Sequence, residues 1–162
     1  MRMRAAFSRL LALVLLVVTA ACGKPVDLTT ALTVDVVSTG WFDAGIVNGN
    51  NKLVPTVAFR LTNRSDQVLP VLQVNALFRR TNEKDEWGSG FITAAGSSGL
   101  KAGTTTDTLT IRSQLGYTGT EPRAAMLQNA QFVDANVELF VKYGSAQWVK
   151  VGAYPVARRM LQ

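Results

Sequence analysis

Few side chains in this 162-residue sequence could perform chemistry, because it contains no histidine and a single cysteine. The absence of histidine excludes Ser-His and Cys-His relays, imidazole acid-base catalysis and histidine metal ligands. Glu83, Asp85 and Glu86 are close enough in sequence to suggest a cation site, but they lack the Asp/Asn spacing and the glycine of a calcium loop. We interpret these three residues as a solvated turn, and we expect neither a metal nor another cofactor.

Paired carboxylates remain as a catalytic possibility. Any two of the 11 acidic residues could meet in the fold and cleave a glycosidic bond. Most of them fall in predicted turns or on the outward faces of predicted strands, where a solvated role is usual. A carboxylate hydrolase is therefore the third hypothesis for this chain, and we expect that it is not an enzyme.

The single cysteine, Cys22, directly follows a segment organised like a bacterial export signal. Arg2, Arg4 and Arg9 make its start positive, and residues 10–18 form an apolar run of nine. Such a run is too short to cross a bilayer core, which takes about 20 apolar residues. The pattern Thr19-Ala20-Ala21-Cys22 resembles the lipobox of bacterial lipoproteins.

This resemblance implies that residues 1–21 are a cleaved signal peptide and that Cys22 is the lipid attachment site, diacylated on its thiol and often acylated on the new amino group. The match covers the first 22 residues and departs from the pattern at Thr19, where leucine is commonest. The alternative is a plain secretory signal with a free cysteine. Two or three acyl chains give a stable anchor, whereas one does not.

The residue after the cysteine, Gly23, bears on location. An aspartate at this position typically retains lipoproteins of two-membrane bacteria at the inner membrane. If the source has two membranes, the resemblance therefore favours the outer one, with the protein facing the periplasm.

The charge of the mature chain is mild. Three of the 17 basic residues belong to the signal, which leaves 14 Lys and Arg against 11 Asp and Glu, a net charge of +3. The basic residues are scattered and form no stripe with interleaved aromatics, so nucleic acid is not an expected partner. Because Cys22 is the only cysteine, no disulfide is available to the fold.

The mature chain has the length of one ordinary domain. We expect residues 22–30 to be a lipidated tether and residues 31–162 to be the domain. At about 3.3 Å per extended residue, residues 23–30 would hold the domain roughly 25 Å from the bilayer.

Alternation of apolar and polar residues with period two predicts strands along the domain. The first three are residues 31–38, 57–62 and 72–78, with a turn region at 40–51. The polar turn Asn63-Arg64-Ser65-Asp66 predicts an antiparallel hairpin between the second and third strands.

Later strands are predicted at residues 91–94, 105–112, 133–141 and 148–151, the last two joined by a turn at 143–146. One short helix is predicted at 122–128, with proline near its first turn. About seven short strands between Gly, Asn and Ser turns predict an all-β fold, a single antiparallel β-sandwich. The stretch from Val57 to Phe78 is similar in style to immunoglobulin-like and fibronectin-like accessory domains, which implies an immunoglobulin-like sandwich.

Aromatic residues in predicted loops are candidate contacts for a partner. Trp41, Phe42 and Trp87 fall in loops or at strand ends. The alternative is that these side chains cover the open end of the sandwich. Trp148, within the last strand, is either a core residue or an outward one, and the core position is favoured because large aromatic side chains carry cores.

Tyr117 is a further candidate contact because it lies in residues 113–130, the longest stretch without strand alternation. Connections beyond about 12–15 residues tend to be functional or disordered. The alternative is that Met126 and Leu127 cap the core through the short helix.

Together these observations predict a lipid-anchored protein of the cell envelope that acts as a non-catalytic accessory or scaffolding subunit for another envelope protein. Its partners would be membrane lipid, through Cys22, and an envelope protein. A lipoprotein that binds a small ligand or a glycan is the alternative hypothesis.

Overall fold

The computed structural model describes residues 24–162 and folds them into two β-sheets that enclose one apolar core. The predicted signal peptide, residues 1–21, and Cys22 lie outside the described residues. The elements in chain order are α1 (Leu28–Ala31), β1 (Leu32–Val47), β2 (Asn50–Asn63), β3 (Leu72–Arg80), β4 (Gly88–Ala95), β5 (Leu109–Arg112), β6 (Tyr117–Gly119), α2 (Arg123–Met126), β7 (Ala135–Tyr143), β8 (Val149–Pro155) and β9 (Met160–Leu161).

The predicted all-β sandwich is confirmed. One sheet has the order β5-β2-β1-β9, with β6 also paired to β2, and the other has the order β4-β3-β7-β8. The long strands of both sheets are antiparallel to their neighbours, as expected for a β-sandwich. The additional strands β6 and β9 have three and two residues, and α1 is a second short helix that the sequence analysis did not predict.

The predicted hairpin between residues 57–62 and 72–78 is wrong. β2 pairs with β1, β5 and β6, whereas β3 pairs with β4 and β7 in the opposite sheet. Asn63 is fully buried at the crossing, where its side-chain amide donates to the carbonyl oxygens of Gln67 at 2.7 Å and Leu100 at 2.9 Å. The polar turn therefore carries the chain between sheets.

The long hairpin is instead formed by β1 and β2. Its two-residue turn, Asn48-Gly49, has φ angles of 51° and 80°, and positive φ at both positions is what a type I′ hairpin turn requires. β1 continues to Val47 although strand alternation ends near residue 38. Register shifts between Val36 and Ser38 and between Asp43 and Ile46 explain the difference, because a bulge breaks the period-two pattern.

The second sheet follows the sequence pattern closely. β3 and β7 are paired along their length, and each buries every second side chain against the first sheet. The predicted hairpin of the last two long strands is confirmed by the antiparallel pairing of β7 with β8. The fully buried side chains of the core include Trp41, Phe59, Phe78, Leu53, Leu61, Leu72, Val74 and Leu139.

The N-terminal segment is packed on the sandwich, so most of the predicted tether is not a free linker. Leu28 is 1% exposed, and Val26 packs against the core and donates its backbone N–H to the Tyr143 hydroxyl at 2.9 Å. The carbonyl of Lys24 accepts from the Gln67 side chain at 3.3 Å. The folded part therefore begins near Val26 and not at residue 31, and the predicted reach of roughly 25 Å is too long.

The sandwich has two ends, which we name by their distance from the N-terminal segment, residues 24–31. The proximal end consists of residues 24–31, 64–71, 96–103 and 142–148. The distal end carries the β1–β2 turn, the loop at 81–87 and the connection at 113–134, and it lies at the opposite ends of the long strands.

Candidate functional site

Three of the four aromatic residues predicted to be candidate contacts meet at the distal end. Trp41, Trp87 and Tyr117 form a cluster with Phe132, which we call the aromatic cluster. The ring centroid of Trp41 lies 6.0 Å from that of Trp87, 5.6 Å from that of Tyr117 and 4.7 Å from that of Phe132. Offset and edge-on ring pairs at such distances stabilise beyond their buried area.

Trp41 is the centre of the aromatic cluster and is not a loop contact. It lies in β1 and is 0% exposed, and its Nε1 has no hydrogen-bond partner among the described residues. The loop position predicted for Trp41 is therefore wrong, because β1 continues through this residue beyond the register shift at Val36–Ser38. Partner binding by Trp41 would require its buried side chain to become exposed, and that role stays a prediction.

Tyr117 is held in place as well. This half-buried residue pairs with Leu53 through β6, and its hydroxyl donates to the carbonyl of Val133 at 3.0 Å and accepts the N–H of Val133 at 2.9 Å. Met126 and Leu127 are 5% and 7% exposed. The connection at 113–130 thus caps the core, as the alternative interpretation predicted, and Tyr117 is a structural bridge within it.

We expect Tyr117→Phe to lower the free energy of unfolding by about 1 kcal/mol, because it removes one hydroxyl that serves both backbone groups of Val133. Tyr117→Ala should cost more, since it also removes a ring from the aromatic cluster. Chemical denaturation of both variants is the measurement. A Tyr117→Phe protein as stable as the parent would show that water replaces the hydroxyl without loss.

Trp87 and Phe42 keep more exposure than Trp41. Trp87 is half-buried, and the guanidinium of Arg80 lies 5.0 Å from its ring centroid and 6.0 Å from that of Tyr117. Phe42 follows Trp41 in β1 and so points to the opposite face of its sheet. There the guanidinium of Arg112 covers its ring at 3.5 Å, beside a cavity of about 260 Å³.

A cleft opens beside the aromatic cluster at the distal end. Its volume is about 270 Å³, and its lining combines two rings with polar and acidic side chains, namely Tyr117, Phe132, Thr118, Glu121, Asn129 and Gln131, together with Gly119 and Met126. Aromatic surface with amide and carboxylate groups can hold a small polar ligand. Phe132 was not predicted as a site residue because it precedes the predicted strand at 133–141 and is out of phase with the apolar positions of that strand.

The acidic turn and one Ser-x-x-Lys segment both lie on the surface. Glu83, Asp85 and Glu86 are exposed, and Glu83 pairs with Arg80 at 3.5 Å, which fits the solvated turn that we predicted. Ser98 and Lys101 have the Ser-x-x-Lys spacing of some acyl-transfer enzymes, but they lie on an exposed turn. Residues 24–162 contain no group of three or more His, Cys, Asp or Glu side chains that could share a metal ion.

Trp148 is on the surface, contrary to the expectation that it lies in the core. It is 39% exposed and packs edge-on against Phe91, itself 54% exposed, with centroids 6.2 Å apart. Val149 and Val151 pack against the core, so alternation places Trp148 and Lys150 on the outer face. The sequence signal for this position was that Trp148 and Lys150 are two residues apart, so their side chains point to the same face of the strand.

A charge network crosses the outer face of the second sheet. The carboxylate of Glu138 accepts a hydrogen bond from Lys150 and pairs with Arg79 at 3.2 Å. The pKa of Glu138 is lowered by the Lys150 hydrogen bond and then by Arg79, against an opposing effect of partial burial. The pKa of Asp43 is also lowered, first by the backbone N–H of Gly45 and then by Arg123.

These shifts predict loss of stability in acid. Because the pKa of Glu138 is lower in the folded state than its ordinary value of 4.5, the stabilisation is present above that pH and is lost as the pH falls through the folded value. Without histidine, no side chain with an ordinary pKa titrates between about pH 5.5 and 8. We expect a constant melting temperature in that range and a fall below about pH 4, smaller in Glu138→Gln than in the parent. If the melting temperatures of the two proteins fell equally in acid, Glu138 would not be a cause of the loss of stability.

No helix among residues 24–162 has the length and apolar character needed to cross a bilayer. No protein-family model matches the chain, and no curated protein does so either. Among solved structures, the X-ray structure of Northeast Structural Genomics Consortium target SoR45 is similar at 13% identity and a TM-score of 0.46, over 81% of this chain and 89% of that one.

Proposed function

We propose that this protein is a lipid-anchored lipoprotein of the cell envelope that acts as a non-catalytic accessory or scaffolding subunit, with its distal end presented to another envelope protein. The observation that carries the proposal is the separation of the two ends. Residues 24–31, which directly follow the lipobox-like segment, lie at one end of the sandwich, and the aromatic cluster lies at the other.

The distal end has the composition of a protein-binding surface. Ile46, Val47, Leu115 and Val133 are 70%, 39%, 54% and 37% exposed. Ile46 and Val47 lie at the end of β1, next to the β1–β2 turn. Leu115 and Val133 lie in the connection at 113–134, which also carries Tyr117 and Phe132 of the aromatic cluster. Exposed apolar side chains grouped on loops that a rigid scaffold positions mark candidate interaction sites.

A small ligand or a glycan is the alternative occupant, and the distal cleft is the observation that favours it. Glu121, Asn129 and Gln131 supply hydrogen-bonding groups beside the rings of Tyr117 and Phe132. A hydrolase that uses carboxylates is the third hypothesis, and the exposed acidic turn offers it no support.

Affinity purification of the tagged full-length protein from detergent-extracted membranes tests the proposal. We expect one stoichiometric envelope protein, lost in Ile46→Ser and Leu115→Ser. Val37→Ser is the matched control, because Val37 is 47% exposed but lies on β1 away from the distal end. Equal recovery of the partner by all three variants would contradict a distal contact.

The same purification distinguishes the alternative. Retention of a glycan or small molecule without a stoichiometric protein, and its loss in Asn129→Ala, would favour the distal cleft as a ligand site. Asn129 is exposed and lines this cleft, so its replacement leaves the core intact.

A further inference from the structure

We infer that the proximal end lies directly on the bilayer and contacts the headgroups of anionic phospholipids. This inference rests on the lipid attachment at Cys22 that the proposed function includes. It adds a second membrane contact, made by the folded domain itself.

The chain leaves almost no distance between the anchor and the domain. Lys24, Val26 and Leu28 are tied to the sandwich by the Gln67 and Tyr143 hydrogen bonds and by burial. The Cα atoms of residues 22 and 24 are two peptide steps apart, at most roughly 8 Å. The headgroup region is about 5–7 Å thick on each side of a bilayer. An acylated Cys22 would therefore hold the proximal end at the headgroups.

The apolar residues of the proximal end suit an interfacial position. Val68 and Val71 are 48% and 38% exposed, and Trp148 is 39% exposed. The backbone N–H of Gly144 donates to the carbonyl of Pro70 at 3.0 Å, so the turn carrying Trp148 lies beside the loop carrying both valines. Tryptophan is enriched at the level of lipid headgroups, where one part of its ring system is apolar and its N–H is solvated.

The charges of this end complement an anionic surface. The proximal ranges contain four basic residues, Lys24, Arg64, Lys101 and Lys142, against Asp27 and Asp66. None of the ion pairs within residues 24–162 uses any of the four cations, since those pairs employ Arg79, Arg80, Arg123, Lys150 and Arg158. Basic residues next to a leaflet are attracted to anionic lipids, and lysine stems extend along apolar surface.

Val71 provides an independent indication. Its φ is +48°, in the left-handed region that glycine adopts freely and that is strained for a β-branched residue. The chain nevertheless carries valine there, with the side chain exposed. Contact with lipid would explain why a valine side chain is present at a position whose backbone conformation favours glycine.

Tryptophan fluorescence of the lipidated protein tests the inference. The protein is purified from membranes and reconstituted into phosphatidylcholine–phosphatidylglycerol vesicles that contain lipids with brominated acyl chains. We expect bromine to quench part of the emission, and Trp148→Phe to abolish this quenching, because Trp41 is buried and Trp87 lies at the distal end. In Val71→Gly we expect weaker quenching without a lower melting temperature, since glycine relieves the strained φ.

The outcomes separate this inference from the proposed function. Acylated Cys22 in the mass spectrum with no quenching by bromolipid, or quenching that survives Trp148→Phe, would overturn the membrane contact and leave the anchor intact. A mature protein without acyl chains on Cys22 would overturn the anchor and the membrane contact together.

Discussion

Trp41→Ala is expected to lower the free energy of unfolding by about 3–5 kcal/mol, the range for deleting a large aromatic from a core. The side chain is fully buried and contacts the rings of Trp87, Tyr117 and Phe132. Its removal would leave a cavity between the sheets and remove the support of the distal loops. Because domains are stable by only about 5–15 kcal/mol, we expect a fall in the denaturation midpoint large enough to leave part of the protein unfolded at room temperature.

Trp148→Ala is the matched control, because it removes the same side chain from an exposed position. Surface substitutions of this kind usually change stability by no more than about 0.5 kcal/mol. Equilibrium denaturation followed by circular dichroism compares the two variants. Similar midpoints for both would mean that the aromatic cluster is not the structural centre of the distal end.

Cys22→Ala is expected to abolish stable association with the membrane while leaving residues 24–162 folded. The cysteine thiol is the only attachment point for the first acyl chains that the lipobox resemblance implies. Each buried methylene contributes about 0.8 kcal/mol, so the loss of two chains removes far more binding than the weak attraction of the proximal cations can replace. Detergent-phase partitioning, with the mass of the N-terminal peptide, is the measurement.

Thr19→Leu provides the control for this experiment, since leucine is the commonest lipobox residue at that position. We expect this variant to be lipidated at least as completely as the parent. A Cys22→Ala protein that is cleaved after Ala21 and still enters the detergent phase would contradict the anchor.

Local patterns in the sequence predicted the second sheet well. β3 and β7 are regular paired strands, each with one face on the core, so their alternation is unbroken. β1 was predicted to end near residue 38 because its two bulges shift the register, and a shifted register is not visible as period two. The unpredicted helix α1 has four residues, which is too short to show a periodic pattern.

Pairing between strands could not be derived in the same way. The polar turn after Asn63 indicated that two strands meet there, but a turn signal is the same whether the chain folds back within a sheet or crosses to the other one. The choice depends on which apolar faces become buried together. For the aromatic cluster, the sequence singled out Trp41, Trp87 and Tyr117 but could not show that they meet, since they lie on β1, a loop and β6.

Two properties of this protein follow from its sequence alone. Its composition provides no histidine and one cysteine, which follows an export-like segment, and its period-two alternation predicts an all-β fold. These properties depend on residue types and on spacings of a few positions. The tertiary structure alone decided that Trp41 is core, that Trp148 is surface and that the cleft lies at the end opposite Lys24. Burial and proximity depend on contacts between residues far apart in the chain, and only the packing of the two sheets specifies those contacts.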